Sequence, residues 1–386
     1  MNRRAYSEWK PRSLASLGTY LNGFAFKPQH WGENGLPIVR IRELLDPTVE
    51  PDRYEGPTAE PYLIEDGDLI FSWSATLAVV FWNRGPAYLN QHLFKVTPAP
   101  DVNVRFLHHL INYHLDRLAA KSHGTTMKHV TRGDLDRYLI RLPGLDEQGA
   151  IAELLDTLDC QIRISNELVK KLRLQANGLV DDLVAAIPAE QREPLAHLCV
   201  ADICYGIVQS GEFVAGGVPV LSIRDLSGDF ETDLHRTKPA IDAQYRRSRV
   251  APGDVLLSIK GTIGRVGVAP EHYTGNISRE LARLRFGKNV LPEFARLYLL
   301  SREAQRRLDL AVVGTTRAEV SIHVLKKFGF PAPSPECQQR MVAVYRSIER
   351  RIVAEEKERE KLRTLKLGLA SDLLTGRVRV PAVVSS

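Results

Sequence analysis

The chain has 386 residues, which exceeds one ordinary hydrophobic core and predicts two or three domains. Its hydrophobic content of 44% and charged content of 25% are ordinary for a globular protein, and no apolar run is long enough to cross a bilayer. The net charge of +6 is mildly basic, which permits a polyanion as partner without requiring one.

The N-terminus is basic but has no apolar segment behind it, so we expect no secretory signal and a cytoplasmic protein. Four cysteines fit a reducing compartment. Cys199 and Cys204 are too loosely spaced for a CxxC pair, and no second pair completes a zinc site. His197 lies near them, yet buried thiols are the simpler interpretation. We therefore expect no metal site.

In chain order, residues 1–145 form a first strand-rich domain. The stretch "GDLIFSWSATLAVVFW" from Gly67 alternates as a strand does and turns in its middle, which predicts a hairpin. A helix is predicted for "VRFLHHLINYHLDRLAAK" from Val104, and "GTT" from Gly124 follows it.

Residues 146–187 predict the first of two long helices. Apolar residues recur alternately four and three positions apart, which is a heptad seam of the coiled-coil kind. The seam positions are Ile151, Leu155, Leu158, Ile162, Ser165, Val169, Leu172, Ala176, Leu179 and Leu183. Only Ser165 is polar.

Residues 188–334 predict a second strand-rich domain, in which "DVLLSIKGTIGRVGVA" turns at Gly261 and Gly264 and "LPEFARLYLLSREAQRRLDLA" reads as a helix. Residues 335–376 form the second long helix, and 377–386 form a tail. The apolar positions of that helix are Met341, Tyr345, Ile348, Ile352, Leu362, Leu365, Leu369 and Leu373. The charged run "EEKEREK" between them is either a solvated face or a contact for another subunit.

The second half of the chain repeats the first. One constant offset places Gln148 on Gln338, Asp159 on Glu349, and "GTT" at Gly124 on "GTT" at Gly314. Slightly smaller offsets upstream pair "GDLIFSWSAT" with "GDVLLSIKGT", "PIVRIREL" with "PVLSIRDL", and Asn90 with Asn276. Such an ordered series indicates two copies of one unit.

One amphipathic helix cannot bury its seam alone, and the chain supplies two. We therefore predict an α+β protein in which two repeated mixed α/β domains are joined by two long helices. The helices form an antiparallel coiled coil, and the domains are related by a pseudo-two-fold axis in a dumbbell.

These blocks resemble the DNA-sequence specificity (S) subunit of Type I restriction–modification systems over essentially the whole chain. The resemblance lies in GD-[LV]-[LI] with a polar hairpin, GTT, a proline before a helix with Q-x-x-[IM], the helix ending G-L-x-x-D-L-[LV], and the terminal "LLTGRVRV". Two departures affect local geometry: Cys337 stands where the first copy has Glu147, and "SWSAT" stands where the second copy has "SIKGT".

The resemblance implies a non-catalytic, sequence-specific subunit that binds double-stranded DNA. Each domain would read one half of a bipartite target, and the helix pair would set the half-site spacing. Two methyltransferase (M) subunits would bring S-adenosylmethionine and methylate adenine N6, and a restriction (R) subunit, where the system has one, would bring ATP and Mg. The chain itself has no cofactor and lacks N/D-P-P-Y/F and GxxxxGK[ST] segments.

DNA contacts are expected in polar loops that recur in both domains. The candidates in the first domain are Lys27, Ser72, Trp73, Ser74, Asn90, Gln91, His92, Thr125, Thr126 and Lys128. Those in the second are Ser258, Lys260, Thr262, Arg265, Asn276, Ser278, Arg279, Thr315, Thr316 and Arg317. The structural alternatives are that the asparagines hold turns, the GTT hydroxyls cap an element and Trp73 belongs to the core.

Coiled-coil or subunit contacts are expected along both seams. They are Ile151, Leu155, Leu158, Ile162, Leu172, Leu179, Met341, Tyr345, Ile348, Ile352, Leu362 and Leu369.

Two other functions remain open on the sequence. A stand-alone DNA-binding regulator would bind an operator tightly without a partner, which the modest charge disfavours. A scaffold that binds only proteins would tolerate replacement of Lys260, Arg265 and Arg279.

Overall fold

The computed structural model describes residues 9–57, 60–121, 129–313 and 318–380. It divides into two compact units, of which unit 1 is Met1–Asn166 with Lys357–Ser386 and unit 2 is Glu167–Glu356. Both divisions fall inside the long helices rather than at their ends. Each unit therefore contains a recognition domain together with a segment of each long helix.

Unit 1 begins with strands and ends on a long helix. Its strands are β1 Lys10–Ser13, β2 Gly18–Asn22, β3 Trp31–Gly32, β4 Leu36–Val39, β5 Arg53–Tyr54, β6 Leu63–Ile64, β7 Leu69–Ser72, β8 Ala78–Phe81, β9 Ala87–Leu89, β10 Leu93–Pro98 and β11 Leu139–Leu142. Its helices are α1 Ile41–Leu45, α2 Val104–Lys121, α3 Arg132–Arg137 and the start of α4 Leu145–Ala185. The helix predicted from Val104 is confirmed.

Unit 2 repeats this order. Its strands are β12 Arg192–Pro194, β13 Cys204–Tyr205, β14 Val218–Leu221, β15 His235–Thr237, β16 Val255–Ser258, β17 Val266–Val268, β18 Asn276–Ile277, β19 Leu281–Leu284 and β20 Gly329–Pro331. Its helices are α5 Leu195–Leu198, α6 Pro239–Gln244, α7 Pro292–Leu300, α8 Arg302–Leu310, α9 Ile322–Lys326 and the start of α10 Pro335–Leu373.

Sheet topology establishes the internal repeat. The four-stranded sheet of unit 1 has the order β2-β10-β7-β8, and that of unit 2 has the order β13-β19-β16-β17. Strands β4 and β9 pair in parallel, as do β14 and β18. Strand β1 pairs with β11, and β12 pairs with β20. Both copies therefore have the same α+β fold, as the sequence predicted.

The single helix predicted over residues 291–311 is two helices, and that prediction was wrong. Ser301 leaves the helical conformation with φ −64° and ψ 153°, which is an extended geometry, and its Oγ accepts a hydrogen bond from Ala304 N–H at 3.3 Å. A serine in this conformation caps a new helix, so α8 starts where α7 ends.

The long helices lie close to the predicted bounds 146–187 and 335–376. Within unit 1, Asp159 and Asn166 of α4 contact Lys366 (2.5 Å) and Arg359 (3.3 Å) of α10. Partner numbers fall as α4 numbers rise, so these two segments run antiparallel. Within unit 2, Arg173 of α4 pairs with Glu356 of α10 at 2.6 Å.

The predicted seam residues pack inside the units. Ile151, Leu155, Leu158, Leu172 and Met341 are buried. The remaining predicted positions are half-buried, namely Ile162, Leu179, Tyr345, Ile348, Ile352, Leu362 and Leu369.

Toward its end, the α4 seam changes register. Val180 and Val184 are buried in the core of unit 2, whereas Leu183 and Leu179 lie at its border. In α10, Leu365 is 50% exposed, so its predicted place in the seam was wrong. The buried residues at this end of α4 are four positions apart instead of alternately three and four apart. A straight α-helix has 3.6 residues per turn, so a seam with strict heptad spacing drifts around its surface.

The predicted C-terminal tail packs onto unit 1 as far as the structure describes it. The guanidinium of Arg379 donates to both carboxylate oxygens of Glu147 at 2.6 and 2.7 Å, and Val380 contacts the core. Trp9 donates its indole N–H to the same carboxylate at 3.3 Å. These contacts give Glu147 a role that Cys337, its counterpart in unit 2, does not share. In the described residues, every helix is too short or too polar to cross a bilayer.

Candidate nucleic-acid interface

In both units the candidate loops lie at one edge of the four-stranded sheet. In unit 1, Leu93 at the start of β10 pairs with Ser72 at the end of β7. Asn22 at the end of β2 pairs with Phe94, and Ala78 at the start of β8 pairs with Ser72. These antiparallel strands begin or end at the same end of the sheet. The loops that precede or follow them there therefore lie side by side.

Backbone hydrogen bonds join these loops in unit 1. Val130 N–H donates to the carbonyl of Trp73 at 2.9 Å, and Ser74 forms a bridge with His129. Gln91 N–H donates to the carbonyl of Phe24 at 3.0 Å. The hairpin is thus joined to the segment before α3, and the loop before β10 is joined to the loop after β2.

Unit 2 repeats these bonds. Val320 N–H donates to the carbonyl of Ile259 at 2.9 Å, and Lys260 forms a bridge with Glu319. Arg279 N–H donates to the carbonyl of Ile207 at 2.9 Å. The polar loops that the sequence predicted to recur in both domains therefore share one backbone geometry.

The geometry corrects one pairing made from the sequence. Asn90 bridges to Phe24, and its N–H donates to Val39. The same two bonds in unit 2 belong to Ser278, which bridges to Ile207 and donates to Leu221. Asn90 therefore corresponds to Ser278 and not to Asn276, because the loop before β18 is longer than the loop before β9.

Five candidates are buried and have structural roles in this conformation. Ser72 and Ser258 donate their hydroxyls to the carbonyls of Thr76 and Thr262, both at 2.6 Å, and so close the hairpins. Asn276 is fully buried, donating to Asp242 (2.9 Å) and accepting from Ser248 (2.8 Å). The other two buried side chains are Ser74 and Asn90. Their burial places them behind the surface rather than on it, so we assign them to the scaffold of the loops.

Trp73 is half-buried in a cluster of rings. Its ring centroid lies 5.8 Å from His92, 5.7 Å from Phe94 and 6.0 Å from His129. This packing favours the core alternative for Trp73, while His92 remains half-buried at the edge of the cluster.

The exposed candidates are the ones that could reach DNA. Lys27, Gln91, Thr262, Arg265 and Arg279 are exposed. Lys260 and Ser278 are half-buried, and the Lys260 ammonium lies 3.0 Å from the carboxylate of Glu319. Six candidates lie outside the described residues: Thr125, Thr126, Lys128, Thr315, Thr316 and Arg317.

The two hairpins differ in backbone strain. Gly261 has φ +73°, a left-handed conformation that glycine adopts freely. Its counterpart Ala75 has φ +56°, which costs a residue with a Cβ atom of order 1 kcal/mol. The sequence departure from "SIKGT" to "SWSAT" thus leaves the turn in place under mild strain.

Sequence reasoning missed two glycines that hold the loop after the first sheet strand. A Cβ atom on Gly23 would lie 2.1 Å from the Leu89 carbonyl oxygen, and one on Gly206 would lie 1.8 Å from that of Ile277. Only glycine permits this approach of two backbones. The signal was present in the sequence, since both copies carry a glycine there.

An aromatic cluster beside Lys27 was also missed. Its members are Phe24, Phe26, His30, Tyr54, Tyr62 and Tyr88. Trp31 at the edge of this region is 45% exposed, and the Arg40 guanidinium lies 5.3 Å from its ring centroid. No spacing rule predicted the cluster, because its members come from five separate segments.

The surroundings of Cys199 and Cys204, near His197, disfavour the thiolate form of both side chains. Burial raises the pKa of the Cys199 thiol to about 12 and also raises the pKa of the Cys204 thiol. A thiol that resists ionisation is a poor metal ligand and nucleophile, which supports the interpretation of both as packed side chains.

Comparison with known proteins identifies the class to which this fold and interface belong. Residues 6–174 and 208–364 match the model of the Type I restriction modification DNA specificity domain, so the chain is a DNA-recognition protein built from two specificity repeats. The chain belongs to the family of Type I restriction–modification specificity subunits, which are non-catalytic. The resemblance found in the sequence is confirmed.

Two curated relatives cover most of the chain. It is 29% identical over 373 residues to the Type I restriction enzyme EcoBI specificity subunit of Escherichia coli, covering 87% of this chain and 78% of that protein. It is 23% identical over 349 residues to the Type I restriction enzyme MjaVIII specificity subunit of Methanocaldococcus jannaschii, covering 84% and 82%.

Two solved structures share the fold. One comes from work on complex assembly and conformational transition of the type I R-M system, with TM-score 0.62, 21% identity and coverage of 96% of this chain and 98% of that one. The other is the Type I restriction–modification S subunit from M. genitalium, with TM-score 0.54, 14% identity and coverage of 95% and 96%.

Proposed function

We propose that each unit reads one half of a bipartite DNA target and that the long helices set the spacing of the two halves and dock methyltransferase (M) subunits. The observation that carries the proposal is the recurrence of one loop geometry with different exposed side chains. Gln91 in unit 1 and Arg279 in unit 2 occupy the same backbone position, yet one is neutral and the other is a cation. One scaffold with unlike side chains suits two unlike half-sites.

Docking of M subunits is supported by apolar side chains on the outer surfaces of the long helices. Those in unit 1 are Leu154, Ile164, Leu365 and Leu367, and those in unit 2 are Leu174, Val344 and Val353. Their exposed fractions range from 39% for Leu154 to 71% for Leu367. An exposed apolar patch on a helix is the kind of surface that a protein partner covers.

In this proposal the chemistry belongs to the partners and the chain acts in the cytoplasm, where the DNA is. S-adenosylmethionine binds the M subunits, which methylate adenine N6. ATP and Mg bind R subunits where the system has them.

A genome-wide map of methylated adenines, made with and without the gene for this chain, tests the proposal. We expect one bipartite motif to lose methylation on deletion and to regain it when the gene is restored. A matched strain that carries Gln91→Ala, at an exposed loop position, separates loss of recognition from loss of the protein. An unchanged map in the deletion strain, with the methyltransferase expressed, contradicts the proposal.

Docking has its own test, which is co-purification of the M subunit with the full chain. Leu367→Glu is expected to lower recovery of the M subunit, since the substitution puts a charge in an apolar contact. Lys361→Glu is the control, because it changes charge at an exposed position of the same helix without removing apolar surface. Equal recovery with both variants argues against docking at Leu367.

A further inference from the structure

The two DNA-facing surfaces differ in charge at positions that the backbone makes equivalent. Gln91 and Arg279 donate the same N–H bond to the loop after the first sheet strand. Ser74 and Lys260 form the same isolated β-bridge, to His129 in unit 1 and to Glu319 in unit 2. These correspondences rest on hydrogen bonds, so they do not depend on how the two sequences are aligned.

A third position completes the comparison. Ala78 lies opposite Ser72 across the first hairpin, and Arg265 lies opposite Ser258 across the second, where its carbonyl accepts from Ser258 N–H at 2.8 Å. Three equivalent positions therefore read Ser74, Ala78 and Gln91 in unit 1 but Lys260, Arg265 and Arg279 in unit 2.

The unit 2 arginines are available to a ligand. Arg265 and Arg279 are exposed, and neither makes an ion pair within the described part of the chain. Lys260 is held by Glu319 at 3.0 Å and is 30% exposed, so it is partly neutralised.

Among the described residues, two arginines beside the unit 1 loops are engaged in contacts within the protein. Arg132 donates to the carbonyl of Tyr20 and covers the ring of Phe94. The Arg40 guanidinium binds the Asp52 carboxylate at 2.7 Å. Lys27 is exposed, but it lies outside the three equivalent positions.

This difference in charge bears on how each unit would contact the DNA backbone. A free arginine displaces counterions when it contacts a phosphate, and each such contact adds about 0.9 to the slope of log K against log salt. A glutamine can read a base edge without releasing any counterion. Binding through unit 2 should therefore depend on salt more strongly than binding through unit 1.

We infer that unit 2, through Arg265 and Arg279, supplies phosphate contacts that unit 1 lacks at the equivalent positions, and that unit 1 reads its half-site there with the neutral Gln91. This inference rests on the proposed function and adds a division of labour to it. One unit holds the DNA backbone with charge, and the other discriminates bases with little added charge.

The test is the salt dependence of DNA binding by the full chain purified with its methyltransferase partner. The probes are a duplex that carries the motif found by methylation mapping and a duplex with both half-sites scrambled. Affinity is measured between 50 and 200 mM salt, the range over which phosphate contacts change affinity strongly. The variants are Arg265→Gln with Arg279→Gln, Gln91→Ala, and Gln91→Arg.

The double arginine variant is expected to lower the slope by about 2 and to weaken binding to both duplexes alike. Gln91→Ala should weaken binding to the motif duplex and leave the slope unchanged. Gln91→Arg, which gives unit 1 the unit 2 residue, should steepen the slope by about 1. Thermal unfolding of each variant checks that these exposed substitutions leave the fold intact.

An unchanged slope in the double arginine variant overturns the inference, whether or not affinity falls. A drop in slope for Gln91→Ala as large as that of the double variant also overturns it. If the unmodified complex binds the motif and scrambled duplexes equally, or binds neither, the proposed function fails instead. The two failures are therefore distinguishable.

Discussion

At the scale of single residues, a buried glutamine ties each long helix to its recognition domain. The amide N–H₂ group of Gln338 donates to the carbonyls of Pro333 and Asn289, both at 2.8 Å, and its carbonyl accepts from Leu291 N–H at 2.8 Å. Gln148 makes the equivalent three bonds in unit 1 at 2.8 to 3.1 Å. The pairing of these glutamines in the sequence therefore marks a structural joint.

Gln338→Leu should destabilise unit 2 by about 3 kcal/mol, because it leaves three buried backbone groups without partners at about 1–3 kcal/mol each. Gln339→Leu is the control, since the neighbouring residue is exposed and should change stability by less than about 0.5 kcal/mol. Denaturant unfolding of the full chain measures both variants. Equal effects of the two would show that the hydrogen bonds of Gln338 do not hold the joint.

At the scale of elements, the seam of α4 contains one buried polar position. Ser165 is 3% exposed, and its hydroxyl has no hydrogen-bond partner among the described residues. The buried Nε of Arg359 in α10 likewise makes no hydrogen bond there and lies 3.8 Å from the Glu360 carboxylate, while another nitrogen of Arg359 donates to Asn166 at 3.3 Å. The middle of the helix pair is thus polar and under-satisfied, whereas both ends pack in apolar cores.

Ser165→Ala should raise the stability of the chain by about 1 kcal/mol, because it removes a buried hydroxyl that nothing satisfies. Thr157→Ala, at an exposed position of the same helix, measures how much of any gain comes from the helix propensity of alanine. The midpoint of thermal unfolding reports the difference. A fall in stability for Ser165→Ala beyond that of the control would mean that the hydroxyl has a partner in solution.

Helix α2 carries three histidines whose pKa values are lowered by burial. Burial lowers the pKa of the half-buried His108 and of the buried His114 to about 4, and it also lowers the pKa of the buried His109. The unfolded chain binds protons near pH 6.5, where the folded chain does not. The stability that these groups contribute is therefore complete above pH 6.5 and is lost as the pH falls toward 4.

His108→Leu should make stability less sensitive to acid. At pH 5 the wild type should have lost up to about 2 kcal/mol that this variant keeps, since a shift of one pKa unit corresponds to about 1.4 kcal/mol. Unfolding measured at pH 7 and pH 5 gives the difference. Parallel pH profiles for wild type and His108→Leu would contradict the argument.

At the scale of the whole molecule, periodicity and repetition predicted the fold class, the helix from Val104 and both long helices. These features depend on spacing along the chain, which the sequence shows directly. The equivalence of Asn90 with Ser278 was not predictable, because two asparagines matched by type while the backbone register had moved by a loop insertion. Burial of Asn276 and Ser258 also escaped prediction, since a polar side chain in a loop looks the same in sequence whether it faces water or a neighbouring carbonyl.

Unit 1 is built from two segments of the chain and unit 2 from one, and this difference affects the stability of unit 1. Unit 1 takes its core from both ends of the chain, with Leu373 and Leu374 packed beside Ile151 and Leu155, whereas unit 2 is one continuous segment. Leu373→Ala should destabilise unit 1 by about 3 kcal/mol through the cavity it leaves. Hydrogen exchange should then show lost protection in α2 and unchanged protection in β16. Leu367→Ala, at a residue that is 71% exposed, is the control and should change neither. Loss of protection in β16 to the same extent would mean that the two units unfold as one.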